Sequence, residues 1–167
     1  MEYTKKLLNS SHFLELQREI RILERKRIYC KHEIDHLLDV CRIAWIMYLE
    51  KNLQKGIDII EKEKDKIYLS GLLHDIGRVA QYQTGEHHAE AGVRIAGELL
   101  EEIGYPSTLQ SEILQIISGH HGRGYPVEDT IASYICQADH LSRNCFLCEA
   151  TGTCKWEENE KNRNVLY

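Results

Sequence analysis

The chain has 167 residues, 43% of them hydrophobic, which suits one compact domain with a sizeable core, since chains near this length bury close to 70% of their unfolded surface. Eleven glycines and two prolines fall below the average combined share of about 12%, which excludes collagen-like and proline-rich disordered chains. A net charge of −5 excludes the basic excess of a large nucleic-acid binder.

The opening MEYTKKLLNSSHF has no apolar stretch followed by a small-residue cleavage site, so we expect a cytoplasmic setting with reduced cysteines. Residues 10–29 place Phe13, Leu16, Ile20 and Leu23 on one stripe at helical spacing. The basic run from Arg18 to Lys31 is interrupted by Glu19 and Glu24 and reads as a solvated helix face. Residues 33–54 continue with a broad apolar face of Ile34, Leu37, Leu38, Cys41, Ala44, Trp45, Tyr48 and Leu49. The longest purely apolar run in the chain, Ile43 to Leu49, is far short of the about 18 residues that suggest a membrane span.

After Gly56, residues 65–77 read as a helix closed by a left-handed Gly77, and residues 86–103 as one closed by Gly104. Ser107 and Gln110 form a capping box for a helix to about residue 120. Asp129 or Thr130 caps a further helix through residue 143. No stretch alternates strictly between apolar and polar, so the expected fold class is all-α. With no repeat and no separating linker, the expected organisation is a single domain over 1–167. It comprises a helical extension over about 1–30, a core over about 31–143 and a cysteine-containing segment over 144–167.

Nine histidines are a surplus with a pattern. His74 and Asp75 lie together in LSGLLHDIGR, among residues that look buried, where an isolated carboxylate is costly unless paired or bound to a metal. His36 points coreward on the preceding helix with Val40 and Ala44 at i+4 and i+8. His88 opens a helix, His120 and His121 end one, and Asp139 sits in the apolar ICQADHLS. Imidazole and carboxylate together suit Fe, Mn, Zn and related divalent ions, and these groups are enough for two. His32, at i−4 from His36, is a further ligand or a group supporting one; His87 is the alternative to His88. Arg78 and Arg143, each about one turn beyond this His/Asp set, are phosphate-facing cations or surface ion-pair partners.

The order His36, His74-Asp75, Asp139 resembles the HD superfamily of metal-dependent phosphohydrolases. The resemblance implies a compact HD-type helical domain in which His36, His74, Asp75 and Asp139 bind a first metal and Asp75 bridges to a second. His88, His120 and His121 lie where added ligands are expected. HHGRGYP, residues 120–126, is similar to a shortened form of the segment found in the HD-GYP branch, with Arg78 where that branch usually has lysine. The implied activity is hydrolysis of a phosphate ester or anhydride in a nucleotide-like small molecule by metal-activated hydroxide, with Asp75, Arg78 and Arg143 at the reaction centre. The alternatives are a cyclic-dinucleotide phosphodiesterase and a non-catalytic metal- or nucleotide-binding sensor.

Cys145, Cys148 and Cys154 form a separate group within ten residues. They are part of a zinc or iron–sulfur site if Cys136, Cys30 or His140 supplies a fourth ligand, and otherwise reduced thiols.

Overall fold

A computed structural model describes residues 1–119 and 127–167, the side chains of 57–59 excepted. Its described residues form α1 (Glu2–Leu8), α2 (Ser11–Leu23), α3 (Ile34–Asn52), α4 (Ile57–Leu73), α5 (Arg78–Thr84), α6 (His88–Glu102), α7 (Ser107–Gly119) and α8 (Ile131–Leu141), with single 3₁₀ turns beyond and no strand. The all-α expectation holds. None of these helices is long and apolar enough to cross a membrane.

Helix α4 is the hub: it packs against α1, α3, α7 and α8. Its last turns are largely apolar, and Leu69, Leu72 and Leu73 are fully buried, each such side chain contributing roughly 1.5–3 kcal/mol on burial. Helix α3 is buried on two faces. Leu37 and Cys41 join Leu69, Leu72 and Ile76 in one cluster, while Val40, Ala44 and Tyr48 meet Tyr134, Ile135 and Ala138 of α8 in another. These contacts set the start of α3, the end of α4 and the end of α8 beside one another.

Two short helices escape the apolar periodicity. Helix α1 is held by a cap from another helix: Asp65 of α4 accepts from the Tyr3 and Thr4 amides (3.0 and 2.8 Å) and from the Thr4 hydroxyl, a carboxylate at a helix N-terminus where it is favoured. Helix α5 follows the buried turn at residues 74–77 and packs on α2 and α6. The expected 65–77 helix in fact begins at Ile57 and ends at Leu73. Helix α2 stops at Leu23, well before residue 29, and α7 begins at Ser107 itself, with the Gln110 amide donating to the Tyr105 carbonyl (3.0 Å). Thr130 rather than Asp129 caps α8, through a reciprocal pair with Ser133.

Gly104 takes the expected left-handed conformation after α6, with φ +68°. Gly77 does not: its φ of −68° is right-handed helical. Close packing explains this glycine, because a Cβ there would lie 1.9 Å from the His88 carbonyl oxygen and 2.5 Å from the Gly92 amide. The start of α6 is thereby pressed against the turn that carries His74 and Asp75.

The C-terminal segment returns to the end of α8. The Asn162 side-chain amide donates to the carbonyls of His140 (2.7 Å) and Arg143 (2.9 Å), satisfying acceptors that a helix end leaves open.

Gly77→Ala therefore destabilises by about 2 kcal/mol or more, in the upper range for overpacking. Gly97→Ala, where no atom lies within 4 Å of the added methyl, is neutral or stabilising by up to about 1 kcal/mol. Urea denaturation of both variants checks the contrast.

Candidate metal centre

Four ligand atoms, one each from His36, His74, Asp75 and Asp139, lie within 4.8 Å of one another, the one such group of three or more among the described residues. His36 stands in the first turn of α3, His74 and Asp75 follow the last turn of α4, and Asp139 is in the last turn of α8. The helix packing described above is what brings them together. His74 Nε2 is 3.2 Å from Asp75 Oδ2 and 3.9 Å from Asp139 Oδ1. His36 Nε2 is 3.4 Å from Asp139 Oδ1 and 3.9 Å from Asp75 Oδ2. His74 and Asp75 are 0% and 2% exposed, whereas the Asp139 side chain is 27% exposed, so the group opens to solvent past Asp139.

Each imidazole is fixed through its far nitrogen. His74 Nδ1 donates to the Gly71 carbonyl at 2.7 Å. His36 Nδ1 donates to Ser142 Oγ at 3.1 Å, because the Ser142 hydroxyl proton is committed to the Asp139 carbonyl at 2.9 Å. Both rings thus turn Nε2 towards the carboxylates, the orientation that metal-ligating histidines require. Asp75 is divided: Oδ1 accepts from Arg78 Nε at 2.9 Å, and Oδ2 faces the histidines.

Burial and the neighbouring His74 push the His36 ring down to about 4. Burial alone would lower His74 as well, but the carboxylates of Asp75 and Asp139 outweigh it and hold that ring up at about 9. His36 Nε2 is shielded from solvent and makes no hydrogen bond among the described residues, although two carboxylates face it. Two carboxylates and two imidazoles suit a divalent cation in charge and donor type, so the residues fit a metal.

A second polar group abuts this one. Glu24, the residue capping α2, is 1% exposed. Its Oε1 accepts from His32 Nδ1 and from the Tyr82 hydroxyl, both at 2.5 Å, and its Oε2 accepts from the His32 amide at 2.7 Å. Burial raises the Glu24 carboxyl, yet the hydrogen bonds from His32 and Tyr82 leave it below its ordinary value.

The remaining expected residues are placed as follows. His88 is half-buried at the first position of α6, outside the four-atom group; His87 is exposed and stacks on it at 4.9 Å between ring centroids. His120 and His121 lie outside the described residues. Arg78 contacts Asp75 and Gln81. Arg143 does not point at the cluster as expected: its guanidinium lies over Trp156 (4.1 Å) and bonds to the His140 carbonyl, the His140 ring and the Glu160 carbonyl. The C-terminal segment claims it because the chain folds back over the end of α8. Nor do three sulfurs among Cys145, Cys148 and Cys154, with or without Cys30 or Cys136, converge as the four His/Asp atoms do; no disulfide joins any two of the six cysteines. His140, the non-cysteine candidate for a fourth ligand, is turned to Arg143 and Trp156. Ser142 and Glu24 are the site groups that sequence reasoning missed. Glu24 was legible only as an interruption of a basic run, and Ser142 as a residue one turn beyond Asp139.

Fold and site together define a helical domain with a candidate metal-binding cluster gathered at the ends of three helices. The chain belongs to the HD domain family, which it matches over residues 34–144, and that family lies within the superfamily of metal-dependent phosphohydrolases. It is 32% identical over 161 residues to a protein of Clostridium beijerinckii named only as uncharacterized, covering 96% of each chain. Ribonuclease Y 1 of Pediococcus pentosaceus is 26% identical over 128 residues, 77% of this chain and 21% of that one. Ribonuclease Y of a Sulfurovum species is 30% identical over 129 residues, 77% and 22% of the two chains. This chain spans about a fifth of the length of those ribonucleases. No solved structure matches it.

Two outcomes follow. Ser142→Ala removes the acceptor that orients His36 and weakens zinc affinity by about 10–100-fold, read by competition with a chromophoric chelator. Glu24, held low in the folded state, contributes stability that is complete above its unfolded value of about 4.3 and lost as the pH falls below it. The stability gap between the wild type and Glu24→Gln therefore narrows from pH 6 to pH 3 in urea titrations.

Proposed function

We propose that this chain hydrolyses a phosphate ester or anhydride bond in a small, nucleotide-like substrate, using a divalent cation held by His36, His74, Asp75 and Asp139. The observation that carries this is the buried two-imidazole, two-carboxylate group with one solvent-facing side. Relatives named as ribonucleases support a phosphoester as the bond class. When bound, such a cation lowers the pKa of a coordinated water to about 7 and offsets charge on a phosphoryl oxygen.

The protein's own groups do the rest. Gly71 and Ser142 keep both imidazoles aimed at the cation position. Arg78 fixes one oxygen of Asp75 while the other faces the histidines, and we assign Arg78 to positioning that carboxylate. The exposed edge of Asp139 leaves room for a substrate phosphate. Asp75 remains central as a ligand, and His88, His120 and His121 are the residues that would help to hold a second ion. Arg143 is reassigned to packing. In this reading residues 1–167 are one domain acting in the cytoplasm on a small phosphorylated molecule, and the cysteines hold no metal.

The test is a turnover panel on protein loaded in turn with Mn, Fe(II) and Zn. Nucleoside mono-, di- and triphosphates, dinucleoside polyphosphates, cyclic dinucleotides and a short RNA are the substrates. Turnover on one class that falls at least about 100-fold in Asp75→Asn, with the helical circular-dichroism signal retained, is the expected result. Cyclic-dinucleotide cleavage alone would move the assignment to that phosphodiesterase class. Nucleotide-dependent thermal stabilisation without turnover on any member would replace the enzyme by a sensor.

A further inference from the structure

The family match begins at residue 34, yet the polar groups around Asp75 do not stop there. His32 lies just before α3, its ring edge-on to His36 at 5.9 Å between centroids. Two carboxylates bracket that ring, with Glu24 Oε1 2.5 Å from Nδ1 and Asp75 Oδ2 3.7 Å from Nε2. The first contact is a charge-assisted hydrogen bond. The second is too long for a hydrogen bond. It is close to the spacing of two ligands on one cation, since metal–ligand bonds of about 2.1 Å separate neighbouring ligands by roughly 3–3.6 Å.

Glu24 is in a costly position. It caps the C-terminal end of α2, where the helix dipole disfavours an anion, and it is almost wholly buried. A carboxylate so placed needs compensation. The fold supplies three donors, the His32 ring, the His32 amide and the Tyr82 hydroxyl of α5, with Arg27 Nε at 3.9 Å. Their combined effect on His32 is specific: with Nδ1–H donated to Glu24, the Nε2 lone pair is presented to Asp75. Metal-ligating histidines are oriented in this way, through a carboxylate on the far nitrogen. Three imidazole nitrogens, from His32, His36 and His74, then surround Asp75 Oδ2 at 3.7, 3.9 and 3.2 Å.

We propose that His32, locked by Glu24, is a further nitrogen donor to a cation carried on Asp75 Oδ2, so that α2 and the segment after it complete the metal centre. His32 stands outside the four mutually close donors and approaches from the Asp75 side. Tyr82 and the Glu24 carboxylate are positioning groups that act through the ring. The inference rests on the metal reading of the site and is independent of the bond cleaved.

Ring-nitrogen NMR of the wild-type chain during zinc titration is the test, since it needs no substitution in a buried network. Zinc should move the His32 Nε2 resonance to a metal-bound shift while the Nδ1–H signal persists. In chelator competition, His32→Ala should weaken zinc affinity about tenfold or more, and cobalt(II) bound to that variant should show an altered visible spectrum. Glu24→Gln should produce a smaller loss in the same direction. Zinc binding that leaves the His32 ring unshifted, or a His32→Ala affinity within twofold of wild type, overturns the proposal while leaving the hydrolase assignment intact. Ligation by His32 with no turnover on any phosphorylated compound overturns the hydrolase assignment alone. Absence of zinc binding by the wild-type chain removes both.

Discussion

The arrangement of this molecule depends on one buried carboxylate. Asp75 is 2% exposed, and an anion so far from water is tolerated only where opposite charge or donors compensate it. Arg78 meets one oxygen and the histidines meet the other, so the carboxylate organises two different environments at once. The four-helix junction of α3, α4, α5 and α8 is the geometry that this compensation demands. Each neighbouring helix contributes a side chain that would be out of place on an ordinary apolar interface. The apolar clusters on either side of α3 provide the rigidity, and the polar junction between them provides the chemistry.

A second constraint acts through backbone proximity. The contact between Gly77 and the first turn of α6 leaves no space for a side chain, which ties the position of His88 to the turn carrying Asp75 through the backbone. Similarly, α1 is anchored by a carboxylate from α4 rather than by its own residues. Both devices fix short or terminal elements onto the hub, and both are cheap in sequence, needing one glycine or one aspartate.

Much of this was legible in the residues. Long helices such as α3 and α6 announce themselves through apolar periodicity, while His36, His74, Asp75 and Asp139, which the structure brings together, were picked out as one set by the resemblance to the HD superfamily, with acid groups in apolar settings pointing the same way. What escaped had physical reasons. Helix α1 is seven residues long, too short for a periodic signal and dependent on Asp65, 61 positions away. Gly77 was taken as a conformational glycine because a glycine after an apolar run commonly ends a helix; only the neighbouring backbone shows that its lack of volume matters. Arg143 looked phosphate-facing from its offset to Asp139, but a chain that folds back on itself supplied Trp156 and a carbonyl that offset cannot reveal. Glu24 belonged to a run of charges, and nothing local distinguishes a solvated glutamate from one that holds a histidine.

The return of the C-terminal segment has a further consequence. Asn162 closes the open carbonyls at the end of α8, and Asp139 and Ser142 stand at that same end. The rotational setting of two site groups is thus held by a residue some twenty positions downstream with no part in the chemistry. The segment works as a splint: lengthening, shortening or bending it would re-aim an aspartate without altering any ligand. Variation in this tail is therefore a route by which a protein of this design can be retuned from outside its His/Asp cluster.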